Sequence, residues 1–167
     1  MTLFSSGLDP WVTLKEAIGD LPLIPDEKNW HIGRNPSPKS IQRYKHIPEG
    51  GNRWDLPRRL MPECWIRKVS GGTDLFGRLW WGQPAFTIRT EFFKPEKGRY
   101  LHPQADRPIT HREAARLQTF DDHFEFVGSK IEVAKQIGNA VPCLLGQAIA
   151  RKVKELLRAR KTINDGV

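Results

Sequence analysis

The segment from Gln136 to Pro142, Gln-Ile-Gly-Asn-Ala-Val-Pro, combines a helix stop with a helix start. Gly138-Asn139 favours an unusual backbone geometry, and proline fits the first turn of a new helix. The backbone N–H groups at such a start have no intrahelical partner, so they can bind an anion or a polar ligand. The same spacing is also typical of a plain turn between two helices, and spacing alone leaves both interpretations open.

The two cysteines, Cys64 and Cys143, are the candidate nucleophiles of the chain. We identify no positioned base for either of them, and a free cysteine is more often a buried packing residue. Two cysteines without a Cys-x-x-Cys pair also exclude a disulfide framework and a zinc finger. The five histidines have no metal-like spacing. We therefore expect no catalytic residue and no metal site in this chain.

Basic charge is concentrated in the middle of the chain. Between Lys28 and Arg116 there are 18 basic and 8 acidic residues, a balance of +10, whereas the whole chain carries +8. Five of the six tryptophans lie in the same stretch. Arginines among aromatic residues suit a phosphate backbone and its bases. Many basic proteins bind no nucleic acid and tryptophans usually lie in cores, so composition alone leaves both interpretations open.

The chain divides into three zones and a tail. These are a linker with a short helix at 1–27, a loop-rich β zone at 28–106, a helical zone at 107–161 and the tail at 162–167. The middle zone is dense in proline and glycine, which favours turns and irregular loops. Its β-favouring runs are Cys64–Val69, Leu79–Trp81 and Phe86–Phe93. We expect an α+β fold, with a small loop-rich β domain flanked by helices.

Capping boxes predict where the helices begin. In each box a Ser or Thr precedes a Glu by three residues, and the two side chains satisfy backbone N–H groups at the helix start. The boxes open at Thr13, Thr110 and Ser129. After Pro142, apolar residues recur every three or four positions, which predicts a last helix with one apolar stripe. The stripe consists of Leu145, Ala148, Ile149, Val153, Leu156 and Leu157. It needs a partner surface, either on this chain's own helices or on another molecule.

Length and composition exclude several protein classes. A chain of 167 residues is one domain, or one domain with an appendage. Its mean hydropathy of −0.54 and 28% charged residues are typical of a soluble globular protein. No apolar run approaches the roughly 18 residues of a membrane span, and the first seven residues lack the features of a secretion signal. We expect a cytoplasmic protein that makes no contact with membranes.

Two longer motifs resemble a known family. The run Arg107–Phe120, Arg-Pro-Ile-Thr-His-Arg-Glu-Ala-Ala-Arg-Leu-Gln-Thr-Phe, and the segment Gln136–Pro142 resemble the two C-terminal motifs of the cytosine-5 DNA methyltransferases. Pro84–Thr90 and other segments of the middle zone are similar to the family's target-recognition region, so the likeness covers about residues 9–155. Asp121 departs from the family pattern, which usually has proline there. Cys143 also stands where a second proline is common.

The resemblance implies the methylation of cytosine in double-stranded DNA, with S-adenosylmethionine as cofactor and a cysteine nucleophile. The family's glycine-rich cofactor loop, nucleophile loop and Glu-Asn-Val segment do not occur in these 167 residues. We therefore expect the C-terminal portion of such an enzyme, whose helices complete a larger Rossmann-like catalytic domain that this chain does not contain. It would be inactive alone and would act with a separate catalytic chain, in a restriction-modification system. The alternatives are a truncated, inactive remnant and a DNA-binding fragment without methyl transfer.

The resemblance also implies roles for individual residues. The expected cofactor residues, on one side of the S-adenosylmethionine pocket, are Asn139, Ala140 and Val141. The expected DNA contacts are Thr87 and Ile88, which match a backbone-gripping pair, together with Arg89 and Arg78. The expected residues of a helix that supports the recognition region are Arg112, Glu113 and Arg116. Arg and Glu of that helix are expected to pair.

Overall fold

The computed structural model describes residues 10–67 and 70–164, with side chains to residue 160. The helices are α1 (Leu14–Ile18), α2 (Pro38–Lys45), α3 (Glu63–Ile66), α4 (His111–Leu117), α5 (Lys130–Asn139) and α6 (Cys143–Asn164), and the strands are β1 (Gly77–Arg78) and β2 (Arg99–Leu101). Single 3-10 turns lie at Lys28–Trp30, Arg53–Asp55, Arg58–Leu60 and Pro95–Lys97. The fold is a small α+β arrangement in which loops connect most elements. Residues 1–9 of the predicted first zone and 165–167 of the predicted tail lie outside the described residues.

The three predicted capping boxes are confirmed. Thr13, Thr110 and Ser129 each accept a hydrogen bond from the backbone N–H three residues later, and the glutamate there accepts one from the capping residue. These pairs start α1, α4 and α5, because they satisfy N–H groups that a helix start leaves without partners. α5 continues through Gly138 to Asn139, and its C-cap Ala140 is extended. α6 begins immediately after Pro142.

The predicted strands are wrong in position. Within the described residues, β1 and β2 are the only strands; they pair in parallel with an irregular register. Cys64 lies in α3, and Lys68 and Val69 of the same predicted run lie outside the described residues. The run Phe86–Phe93 is not a strand, because local turns interrupt it. For example, the Phe92 N–H donates to the Arg89 carbonyl.

Two apolar clusters hold the fold together. The larger cluster draws on all three predicted zones, since Leu14 of α1, Phe92 of the middle zone and Ile137 of α5 pack in it. The smaller cluster lies within the middle zone, around Tyr44 and Leu101. The first zone and helices α4 and α5 of the last zone therefore share a core with the middle zone. The boundary of a separate recognition domain at 28–106 stays a prediction.

Helix α6 extends away from both clusters. From Leu144 to Arg160, every residue except Gly146 is exposed. The apolar stripe is open to solvent, with Leu145 51%, Ile149 53% and Leu156 59% exposed. The stripe therefore does not pack on α4 or α5. Of the two partner surfaces that the sequence left open, the chain's own helices are thus not the one used. None of the described helices combines the length and apolar character needed to cross a bilayer.

Candidate functional site

An open groove of about 1190 Å³ lies between α1, the 84–88 segment and the turn after α4. Thr87, Ile88, Arg116 and Ala140 all line it, so the structure brings together members of all three predicted sites. Asn139 and Val141 are exposed beside Ala140, but neither is among the residues that line the groove. The groove is therefore the candidate functional site of the chain.

Gln118 and Thr119 fix the wall of the groove between α5 and α6. The Gln118 side-chain amide donates to the carbonyls of Ile137, at 2.9 Å, and Ala140, at 3.3 Å. The Gln118 carbonyl accepts from the Cys143 N–H, and the Thr119 hydroxyl accepts from the Leu144 N–H. These bonds satisfy backbone groups at the end of one helix and the start of the next. The Gln118 side chain is a structural clamp that the sequence analysis did not single out.

Gly138 lets α5 lie directly against the predicted DNA-contact segment. A Cβ at this position would lie 2.3 Å from the Thr90 nitrogen and 2.5 Å from the Arg89 carbonyl carbon. Both of these atoms belong to the backbone and cannot rotate away. The absence of a side chain at Gly138 therefore sets the distance between the 87–90 segment and the Ala140 wall.

The predicted DNA contacts differ in accessibility. Thr87 and Arg89 are exposed, whereas the Ile88 side chain is buried in the larger cluster. The Tyr100 hydroxyl donates to the Thr87 carbonyl at 3.1 Å and so helps to fix the segment. Ile88 is therefore buried between two exposed neighbours. The geometry leaves Thr87 and Arg89 accessible to a DNA backbone.

Arg78 is an internal structural residue in this fold. Its side chain is 3% exposed. The guanidinium donates to carbonyls of Tyr44, Ile47, His102 and Ala105 and to the Asp106 carboxylate, at 2.6–3.0 Å. Burial lowers the pKa of this guanidinium, and the Asp106 hydrogen bond opposes that shift. With its N–H groups directed to protein oxygens, Arg78 is not available to a phosphate.

The charged residues of α4 are buried or half-buried and paired, but not with one another. Glu113, 1% exposed, accepts two hydrogen bonds from Arg107 at 2.7 and 2.8 Å. Arg116 donates to Asp122 and Asp20, which hold α4 against the following turn and α1. Burial opposes the ionisation of Glu113, but the hydrogen bonds and charge of Arg107 outweigh it and lower the Glu113 pKa.

Arg112 also connects α4 to the chain around it. It donates to the backbone carbonyl and side chain of Asn29 and to the carbonyls of Asp121 and Phe124. Hydrogen bonds in which the donor is charged are stronger than hydrogen bonds between two neutral groups. Arg112 therefore ties the turn at Asn29 to the chain that follows α4. The supporting role of this helix for a recognition region stays a prediction, and the expected Arg–Glu pair within the helix is not present, because Glu113 pairs with Arg107 before it.

The two cysteines are not the buried packing residues that the sequence analysis favours. Cys64 and Cys143 are both exposed and unpaired thiols. Cys143 begins α6, where its backbone N–H binds the Gln118 carbonyl. In the described part of the chain, no three His, Cys, Asp or Glu side chains converge on a point that could hold a metal ion.

His102 makes the fold sensitive to acid. Its ring is buried and accepts N–H bonds from Gln104 and Ala105 at Nδ1, so Nε2 carries the proton, 3.8 Å from Glu113. Burial lowers the His102 pKa to about 4; the Glu113 charge opposes this shift, while Arg107, Arg78 and His31 reinforce it.

We expect a loss of stability as the pH falls from about 6.5 towards 4. The unfolded chain binds the proton at the ordinary histidine pKa, whereas the folded chain resists it, so the stabilisation is present above pH 6.5 and is lost below it. His102 accounts for about 2 kcal/mol of the expected loss between pH 6.5 and 4.5. Urea unfolding across this range measures it. His102→Gln should reduce the pH dependence, whereas the buried His111, whose pKa burial also lowers, keeps its own contribution in that variant.

Residues 9–155 match the sequence profile of the family described as "C-5 cytosine-specific DNA methylase". The chain is 36% identical to the Type II methylase M.HgiDII of Herpetosiphon aurantiacus over 87% of this chain and 44% of that protein. It is 40% identical to the Type II methyltransferase M.PspPI of a Psychrobacter species, over 68% of this chain and 28% of that protein. It is also 30% identical to DNA (cytosine-5)-methyltransferase 2 of Arabidopsis thaliana, over 91% and 13%.

The chain thus spans less than half the length of each of these relatives. The profile match nevertheless covers most of the chain and includes α1, the middle zone, α4 and α5. It also includes the whole groove, from Val12 to Leu144. The chain belongs to the C-5 cytosine-specific DNA methylase family.

Proposed function

We propose that this chain is the target-recognition and C-terminal part of a DNA (cytosine-5)-methyltransferase, which methylates cytosine in a specific DNA site when it joins a separate catalytic half. The observation that carries this proposal is the uncovered apolar stripe of α6, next to the groove that Leu144 lines. Exposed apolar patches of this kind mark protein interfaces. The Type II relatives support a role in a restriction-modification system.

In this proposal Asn139, Ala140 and Val141 form one side of an S-adenosylmethionine pocket shared with the catalytic half. The residues fit that group, because an exposed amide and an exposed isopropyl group flank a small alanine. The amide of Asn139 offers donors and acceptors to the polar parts of the cofactor, and Val141 offers an apolar contact. The bound cofactor would supply the methyl group. Gln118 keeps this segment in place through the Ile137 and Ala140 carbonyls.

Thr87 and Arg89 would contact the DNA backbone, and α4 would hold them indirectly. Hydrogen bonds to phosphates fix the orientation of a protein on DNA, while contacts to base edges provide specificity. The exposed basic residues of the middle zone extend this surface. They include Lys28, Arg34, Lys39, Lys45, Arg58, Arg59, Arg67 and Lys97. A plain DNA-binding fragment would need these residues but not the uncovered α6 stripe.

A complementation assay tests the proposed function. The chain alone should transfer no methyl group from labelled S-adenosylmethionine to DNA. It should do so when mixed with the part of M.HgiDII that lies outside the match. A covalent fusion of the two parts provides the reference for an assembled enzyme. Activity of the isolated chain, or an inactive fusion that is folded and binds DNA, contradicts the proposal.

Ile149→Glu should abolish methyl transfer by the mixture, because a charge buried without a partner costs several kcal/mol. Ile149 is 53% exposed in this chain, so the substitution should leave the chain itself folded, as measured by circular dichroism. Gln147→Glu adds the same charge on the opposite side of α6 and serves as the matched control. Equal activity of the two variants would show that the α6 stripe is not the docking surface.

A further inference from the structure

Phe86 presents an exposed aromatic ring immediately before Thr87. The ring is 41% exposed and stacks on Trp80, with centroids 5.9 Å apart and planes inclined by 20°. The guanidinium of Arg99 lies 4.4 Å from the centroid of Trp80 and 5.3 Å from that of Phe86. Such cation–π contacts stabilise the orientation of both rings.

The position of Phe86 is fixed from both sides. The Arg99 guanidinium is held in position beside the two rings by hydrogen bonds. One of its terminal nitrogens donates to the carbonyls of Gly50, Gly51 and Arg78, each at 2.8 Å. Two residues after Phe86, Ile88 is buried in the larger cluster. An exposed ring that is already ordered loses little conformational entropy on making a contact. Phe86 is therefore preorganised to meet another flat surface.

The surroundings of Phe86 suit a charged polymer with flat side groups. The ring borders two shallow grooves, of about 560 and 250 Å³. The smaller groove is lined by Arg89 and Lys97, both exposed, and by one exposed carboxylate, Asp74. Lys97 pairs with Glu91 at 3.3 Å, whereas Arg89 forms no ion pair with another described residue. Arg89 is therefore the cation best placed to meet a phosphate beside the ring.

We propose that Phe86 is a stacking platform for an unpaired nucleobase of the bound DNA, with Trp80 and Arg99 as the residues that position it. The inference rests on the proposed function and names a contact by which the recognition region would hold DNA. Every base has a π face, so stacking on an aromatic side chain tolerates different sequences while basic residues track the phosphates. In a duplex, the same ring can act as an apolar wedge at an unstacked base step.

The test compares two single-stranded oligomers of equal length and charge, one with bases and one in which every nucleotide is an abasic spacer. Fluorescence anisotropy at one fixed salt concentration gives the affinity of the full chain for each. We expect the chain to prefer the base-bearing strand by about 5- to 100-fold. Phe86→Ala should bring this ratio close to one and leave the affinity for the abasic strand unchanged. Phe86→Trp should retain the preference.

The control is Phe124→Ala, since Phe124 is a similarly exposed ring in a separate aromatic cluster. This variant should keep the wild-type ratio. Phe86→Leu keeps apolar bulk without a ring and should lose the ratio even if the alanine variant is unstable. If Phe86→Leu keeps the wild-type preference for the base-bearing strand, Phe86 is not a stacking platform. The same conclusion follows if the wild-type chain binds both strands firmly and with equal affinity. A wild-type chain that binds neither strand nor duplex DNA overturns the proposed DNA contact as well.

Discussion

Glu113→Ala is expected to cost about 3–5 kcal/mol of folding stability, because it leaves the Arg107 guanidinium buried without its partner. The Glu113 carboxylate accepts hydrogen bonds from both terminal nitrogens of Arg107 and from the backbone N–H of Thr110. Arg107 in turn donates to the Leu23 carbonyl, which connects α4 to the first zone. A loss of this size is a large share of the stability of a small domain. Urea unfolding followed by circular dichroism measures it.

Glu132→Ala is the matched control for this substitution. Glu132 occupies the same capping-box position in α5, accepts from Ser129 and is exposed. Its loss should cost about 1 kcal/mol, the usual value of a helix cap. The difference between the two variants isolates the buried ion pair from the cap. Equal losses would mean that the Arg107–Glu113 pair contributes nothing beyond the cap.

Gly138→Ala should destabilise the chain by about 3 kcal/mol or more, at the upper end of the cost of overpacking. The added methyl group would meet backbone atoms of Arg89 and Thr90 at 2.5 Å or less, so α5 and the 87–90 segment must separate. Separation would also displace Thr87 from the groove. Thermal and urea unfolding measure the loss, and amide hydrogen exchange at Thr90 reports the local opening.

Gly146→Ala gives the opposite expectation. A Cβ at Gly146 meets no atom within 4 Å, and the residue lies inside helix α6. Replacing glycine by alanine within a helix stabilises it by about 1 kcal/mol or less, since alanine has the better helix propensity. The two glycine-to-alanine substitutions, eight positions apart, should therefore change the folding stability in opposite directions. A neutral Gly138→Ala would contradict the close approach of α5.

The start of a helix was predictable here because its cause is local. A capping box needs two side chains three residues apart, and all three predicted boxes are present. α2 also had such a local cause: Ser37 caps it and Pro38 occupies its first position. The proline-rich composition of the middle zone favours turns and loops there, although proline at the first helical position is also a known helix start.

The strands and the role of the basic residues depended on contacts distant in sequence. β1 pairs with β2 across about twenty residues, and neither strand is long enough to show an alternating pattern. The arginine content of the middle zone suited a DNA surface but did not establish one, and several of these arginines lie in the interior. The buried ones are Arg53, Arg78 and Arg99. They donate mainly to loop carbonyls, and no sequence spacing reveals which carbonyls a folded loop leaves without partners.

Under the proposed function, the close approach at Gly138 limits how the middle zone can be exchanged between relatives. A chimera that replaces residues 28–106 brings a new 87–90 backbone against an unchanged α5, with no side chain between them to absorb a difference. The junction is therefore sensitive to shifts of a few tenths of an ångström. A transplant that carries the Pro84–Thr90 segment together with α5 and Gln118 keeps this junction as one unit. If the proposed function holds, new DNA specificity is best sought in the loops outside that unit, where substitutions do not alter the packing of α5.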